Sequence, residues 1–177
     1  MKNQNEFKKL LLIVILFVMT IQDTAAQTPY TSTVDDRKVT ILNGILTKYA
    51  LINNDALKSW YSSNEQSYTA PAPVIASMEA VKDNVQYIVF GGTWCGDTQF
   101  ILPKFFKLQA QAGVADKNIS FFGVDRQKKT LGNLQAAFGI TNVPTIIVMK
   151  NGVEQGRVVE YGKTGKWDEE LAAILKK

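Results

Sequence analysis

The sequence predicts an α/β protein: a central mixed sheet flanked by helices, with an N-terminal helical extension. Three observations carry this. The runs Val85–Phe90, Ile119–Val124 and Thr145–Met149 are apolar and rich in β-branched or aromatic residues, as buried strands are. Helical periodicity separates them, over Asp97–Ala112 and Thr130–Phe138. Asn151-Gly152 is a strong two-residue turn signal, and it leads into a further strand, Arg157–Tyr161.

Taken in order, residues 1–26 read as a signal peptide. Lys2, Lys8 and Lys9 precede the apolar run Leu10–Ile21, and Thr24-Ala25-Ala26 suits cleavage before Gln27. An anchoring helix needs about 20 apolar residues, more than this run has, so no stable membrane anchor is expected after cleavage. The expected location is therefore periplasmic or extracellular. Residues 27–73 form a polar lead-in and a helical extension. Residues 27–36 read as a disordered or extended lead-in. From Asp36 to Tyr61, Val39, Ile41, Leu42, Ile45 and Leu46, then Leu51, Leu57 and Trp60, recur at helical spacing. Asn53-Asn54-Asp55 divides this stretch, with Asn54 or Asp55 capping a second helix. Ser62–Pro73 reads as a polar loop, and Val74–Lys82 as a helix started at Pro73.

Residues 74–177 form the main domain. Gly91-Gly92 ends its first strand. The helix that follows buries Phe100, Ile101, Leu102, Phe105, Phe106 and Leu108, and Pro103 is expected to kink it. Gly139 ends the short helix after the second strand. Trp167–Leu175 closes the chain, with Asp168, Glu169 and Glu170 at its start and Lys176-Lys177 at its end, as the helix dipole favours. Strands alternating with helices imply a parallel sheet, and the hairpin adds an antiparallel edge.

Composition excludes several functions. The 177 residues contain no His and one Cys, which removes Cys–His and Ser–His–Asp hydrolases, thiolate clusters and disulfide frameworks. No metal and no cofactor is expected. The net charge of +4 is dispersed, and no basic stripe interleaved with aromatics points to nucleic acid.

Cys95 stands between a buried strand with two glycines and the start of a helix. Unpaired N–H groups and the positive dipole end there favour a thiolate, the nucleophile of disulfide exchange. A cysteine filling a core gap is the commoner case, but the Gly-Gly-Trp-Cys context favours a reactive one.

Here the sequence resembles the thioredoxin superfamily. Trp94-Cys95-Gly96-Asp97-Thr98 matches its Trp-Cys-Gly motif, and Pro103 falls at the family's helix proline. Val143-Pro144-Thr145 matches the cis-proline segment, Lys150-Asn151-Gly152 the following hairpin, and Gly162 the glycine after the last strand. The resemblance implies a thioredoxin fold over residues 74–177, with Cys95 as attacking thiol and Trp94 as an apolar contact surface. Pro144, cis, would lie against the sulfur, and the Val143 backbone would be free to pair with an extended substrate peptide.

Two departures matter. Thr98 holds the place of the resolving cysteine, and Val89 the place of the buried acid that serves it. A hydroxyl from Thr98 to the sulfur, or to the backbone, are both open; Asp97 suits the dipole but opposes a thiolate. Thr93 lies two residues before Cys95 with no nearby proline, unlike the peroxiredoxin motif. Two functions fit: a monothiol exchange protein whose adduct an external thiol resolves, and a non-catalytic peptide-binding module. The expected partners are protein or low-molecular-weight thiols and disulfides, and the chain is expected to be a monomer. A dimer through Cys95 is a third, weaker option.

Overall fold

The structure is a computed structural model that describes Gln4 and residues 29–177. The signal peptide expected over residues 1–26 lies outside the described residues, save Gln4. The strands are β1 Tyr30–Val34, β2 Thr40–Leu46, β3 Gln86–Gly91, β4 Ile119–Gly123, β5 Thr145–Lys150 and β6 Val153–Val159. The helices are α1 Lys48–Ile52, α2 Lys58–Gln66, α3 Ala72–Glu79, α4 Gly96–Gln111, α5 Leu134–Ala137 and α6 Trp167–Leu175. The strands form one mixed sheet in the order β1-β2-β4-β3-β5-β6.

Alternation along the central strands builds two cores. Tyr87, Val89, Phe121, Ile146 and Val148 point to one face, where residues of all the longer helices cover them, among them Tyr61, Met78, Phe105 and Leu171. Phe90 and Ile147 point to the other face, into a small cluster with Val124, Ile140 and Val143. Trp94 and Cys95 pack against this second cluster. The site thus sits on the thinly covered side of the sheet.

Four expectations change. Thr40–Leu46 is a strand where helical spacing predicted a helix. Leu42, Gly44 and Leu46 are buried at a period of two, with Ile41 buried beside them and Ile45 exposed. A pattern with apolar residues at both i+3 and i+4 satisfies either period over so short a stretch. Gly44, at φ +126°, has no place in a helix. The lead-in before it is also ordered, with β1 pairing antiparallel to β2.

Second, α2 continues to Gln66 through residues predicted as loop. The Lys107 ammonium donates to the carbonyls of Glu65 and Tyr68 at 2.9 and 2.6 Å, so α4 satisfies the end of a polar helix. Third, only β3 and β4 pair in parallel, and β5 runs antiparallel to β3. The link from β4 to β5 holds α5, whose four residues rise only about 6 Å, too little to retrace a strand of about 17 Å. The chain therefore re-enters the sheet from the end it left. Fourth, Leu131–Asn133 is a 3-10 turn rather than α-helix, broken by Gly132 and Asn133 at positive φ.

Asn151 and Gly152 both have positive φ, 52° and 76°, which gives the β5–β6 hairpin its tight turn. Helix α4 runs through the buried Pro103. Among the described residues, no helix is long and apolar enough to cross a membrane.

Candidate active site

The turn from β3 into α4 carries Gly92, Thr93, Trp94 and Cys95, and most of its polar groups have a partner. The Cys95 N–H donates to Gly92 O at 2.9 Å, and Cys95 O accepts from Gln99 N at 3.0 Å. Cys95 is the N-cap residue of α4, in extended conformation, and its side chain makes no capping bond. The half-buried thiol instead donates to Val143 O, with sulfur and oxygen 3.3 Å apart.

Thr98 is 1% exposed, and its Oγ1 accepts from the Gly92 N–H at 3.2 Å. Of the two uses open to its hydroxyl, the structure shows the backbone one. A buried N–H left without a partner costs about 1–3 kcal/mol, so the bond holds the glycine turn closed. Gln99 Nε2 donates to Thr93 O at 2.8 Å. The Thr93 hydroxyl donates to Thr40 O at 2.7 Å and accepts from Leu42 N at 3.2 Å. This ties the cysteine turn to β2. Trp94 Nε1 donates to Val124 O at 3.0 Å, and Arg126 lies over the indole. A side chain on Gly92 would meet that ring at 2.7 Å. Only glycine lets the indole lie flat there.

The segment opposite the thiol is equally fixed. The Val143–Pro144 peptide is cis. Pro144 O accepts from Glu160 N at 2.7 Å, and Asn142 O accepts from Thr145 Oγ1, also at 2.7 Å. The resemblance implied a Val143 backbone free for a peptide; in the structure its carbonyl accepts from the Cys95 thiol. Val89 is fully buried among apolar neighbours on β3, with no acid in its place.

Asp97 lies in the first turn of α4, half-buried beside Tyr161. Burial first, then the Asp97 carboxylate, push the Tyr161 hydroxyl above its ordinary pKa. The Tyr161 ring stands 5.6 Å from that of Phe100. Phe100 is 41% exposed, not buried as helical spacing predicted, and Lys104 covers one face of its ring. Beyond Gly96 the space is open. The half-buried Cys95 thus stands in a surround that holds Trp94 and Arg126 together with Asp97, Phe100 and Tyr161. The sequence had singled out neither Arg126 nor Tyr161, and Asp35 and Gln99 were equally unmarked. Among the described residues, no cluster of three or more His, Cys, Asp or Glu side chains could hold a metal ion.

A family profile described as Thioredoxin matches residues 45–167, more than half of the chain. A thioredoxin of Staphylococcus aureus is 34% identical over 98 residues, spanning 55% of this chain and 85% of its own length. One from Listeria monocytogenes is 29% identical over 80 residues, 45% of this chain and 73% of its own. Among solved structures, a protein of unknown function from Pseudomonas aeruginosa superposes with a TM-score of 0.52 at 17% identity. It covers 72% of this chain and 89% of its own, a likeness of fold alone. On the profile and the curated relatives together, the chain belongs to the thioredoxin family, whose members work on thiols and disulfides.

Proposed function

We propose that the protein is an exported monothiol exchange protein, with Cys95 as its reacting group. The observation that carries this is the cysteine turn itself. Its backbone is fixed from three directions, yet Cys95 stays only half-buried, with its thiol on the carbonyl before Pro144. Preorganisation of this kind serves a group that must meet another molecule in one orientation.

In the first step the Cys95 hydrogen leaves for solvent, and the sulfur attacks one sulfur of a disulfide. A mixed disulfide forms, and the other half departs as a thiolate. Thr98 offers no second sulfur, so a thiolate from solution or a partner attacks the adduct. That closes a new disulfide and returns Cys95 as thiolate. Val143 O, relieved of its hydrogen bond, then faces the bound half, with Pro144 beside it. Export rests on the leader-like composition of residues 1–26, and it would place the thiol where disulfides are abundant.

The test uses the protein with glutathione disulfide. A single glutathionyl adduct on Cys95, absent in Cys95→Ser and released by added thiol, is expected. A protein that forms no adduct is not an exchange protein. The exposed Phe100–Tyr161 pair favours one second reading, a peptide-binding module. Partner binding that survives Cys95→Ser unchanged would select it.

A further inference from the structure

The β1–β2 turn reaches the thiol site. Asp35 opens that turn, and its Oδ1 accepts from the Arg37 and Val39 N–H groups at 3.0 and 2.9 Å. Those bonds fix the carboxylate on its own hairpin. The other oxygen, Oδ2, accepts from Arg126 Nε at 2.6 Å and Nη2 at 2.5 Å. The side chains are 12% exposed for Asp35 and 28% for Arg126, so solvent screens them less than an open surface pair. The Val39 N–H first, with help from Arg126, holds the Asp35 carboxyl below its usual range.

The guanidinium so held lies 5.5 Å from the centre of the Trp94 ring, within cation–π range. The indole N–H edge is pinned separately, by Val124 O at 3.0 Å. The sheet does not need the ion pair. β1 pairs β2 over Tyr30–Val34, and β2 pairs β4 over Gly44–Leu46, both without Asp35. What the pair does reach is the indole next to the thiol.

We propose that Asp35 and Arg126 are positioning residues of the thiol site: the hairpin carboxylate holds the guanidinium over Trp94, and the indole so fixed guides a disulfide onto Cys95. The kinetic half of this rests on Cys95 being the reacting group, and the spectroscopic half does not.

The protein labelled with 5-fluorotryptophan carries three fluorine reporters, at Trp60, Trp94 and Trp167, and Trp94→Phe assigns the one of interest. Asp35→Asn keeps an oxygen for Arg37 and Val39, so the turn survives while the charge is lost. Arg126→Gln removes the guanidinium. Both variants should move the Trp94 resonance and leave those of Trp60 and Trp167 in place. Both should slow the reaction with glutathione disulfide about threefold, the size of one cation–π contact, and the double variant should lose no more than either alone. The disulfide rate is read relative to alkylation by iodoacetamide, which needs no docking surface and reports any change in thiolate on loss of the nearby cation. A Trp94 resonance that stays put in both variants overturns the proposal, whatever the rates. A resonance that moves without any change in the disulfide rate overturns it as well. If the unaltered protein forms no adduct, the exchange function falls, and the resonances still decide whether the pair positions Trp94.

Discussion

Thr98→Val tests what the residue in the place of a resolving cysteine does here. The side chain is 1% exposed, and its Oγ1 is the acceptor for the buried Gly92 N–H at 3.2 Å. Valine keeps the shape, including the methyl that would lie 3.0 Å from a Cβ on Gly91, and loses only the acceptor. The stranded N–H should cost about 2 kcal/mol. Thr98→Ser is the control. It keeps the acceptor and removes one buried methyl, at about 1 kcal/mol with the small void it leaves. Polarity and packing thus predict opposite rankings, because a purely steric role makes serine the worse replacement. Urea unfolding reads this directly. With a slope near 2 kcal/mol/M, the valine midpoint should fall by about 1 M, and the serine midpoint by about half that. Because Gly92 O receives the Cys95 N–H, amide exchange at Cys95 should quicken in the valine variant only. A valine variant as stable as the parent would refute the hydrogen-bond account.

Other outcomes follow from the same structure. Gly123→Ala would drive a Cβ into the Leu42 carbonyl oxygen, so β2 must move off β4, at about 3 kcal/mol in thermal unfolding. A variant with parental stability would show that the two strands do not approach so closely. Thr98→Cys supplies the missing second sulfur one helical turn from Cys95. It should convert release of the glutathione adduct from dependence on added thiol to spontaneous closure, read by mass spectrometry. Persistence of the adduct without added thiol would mean the introduced sulfur cannot reach. At alkaline pH, burial raises the hydroxyls of Tyr61, Tyr68 and Tyr87, with Asp168 adding to the effect at Tyr68. The folded state then holds protons that the unfolded state releases. Stability is full below about pH 10 and falls above it, by up to about 1.4 kcal/mol per pH unit for each tyrosine. A spectroscopic titration in which all six tyrosines ionise together near pH 10 without unfolding would contradict this.

What the sequence made legible was local. The strand runs 85–90, 119–124 and 145–149 and the Asn151-Gly152 turn each announce themselves within a few residues, because their signals are period and turn chemistry. Thr40–Leu46 misled for the same reason: over seven residues, two periods share the same apolar positions, and only pairing with β4 decides between them. The site divides along this line as well. Cys95, Trp94, Thr98 and Pro144 stand out by motif, whereas the groups that hold them do not. Thr93 is bound by residues 51 and 53 positions earlier, and Arg126 by one 91 positions earlier. Neither a lone threonine nor an arginine in a polar loop carries a local mark of such a bond. The contacts exist because the β1–β2 hairpin joins the sheet on the β4 side and its turn lies against the loop that leaves β4. That placement also explains why the apolar stretch before residue 74 is richer than a linker needs. It builds the strand that grips Thr93, and with it the turn that carries Asp35. What fixes Trp94 beside Cys95, the Arg126 guanidinium and the Val124 carbonyl, lies outside the motif.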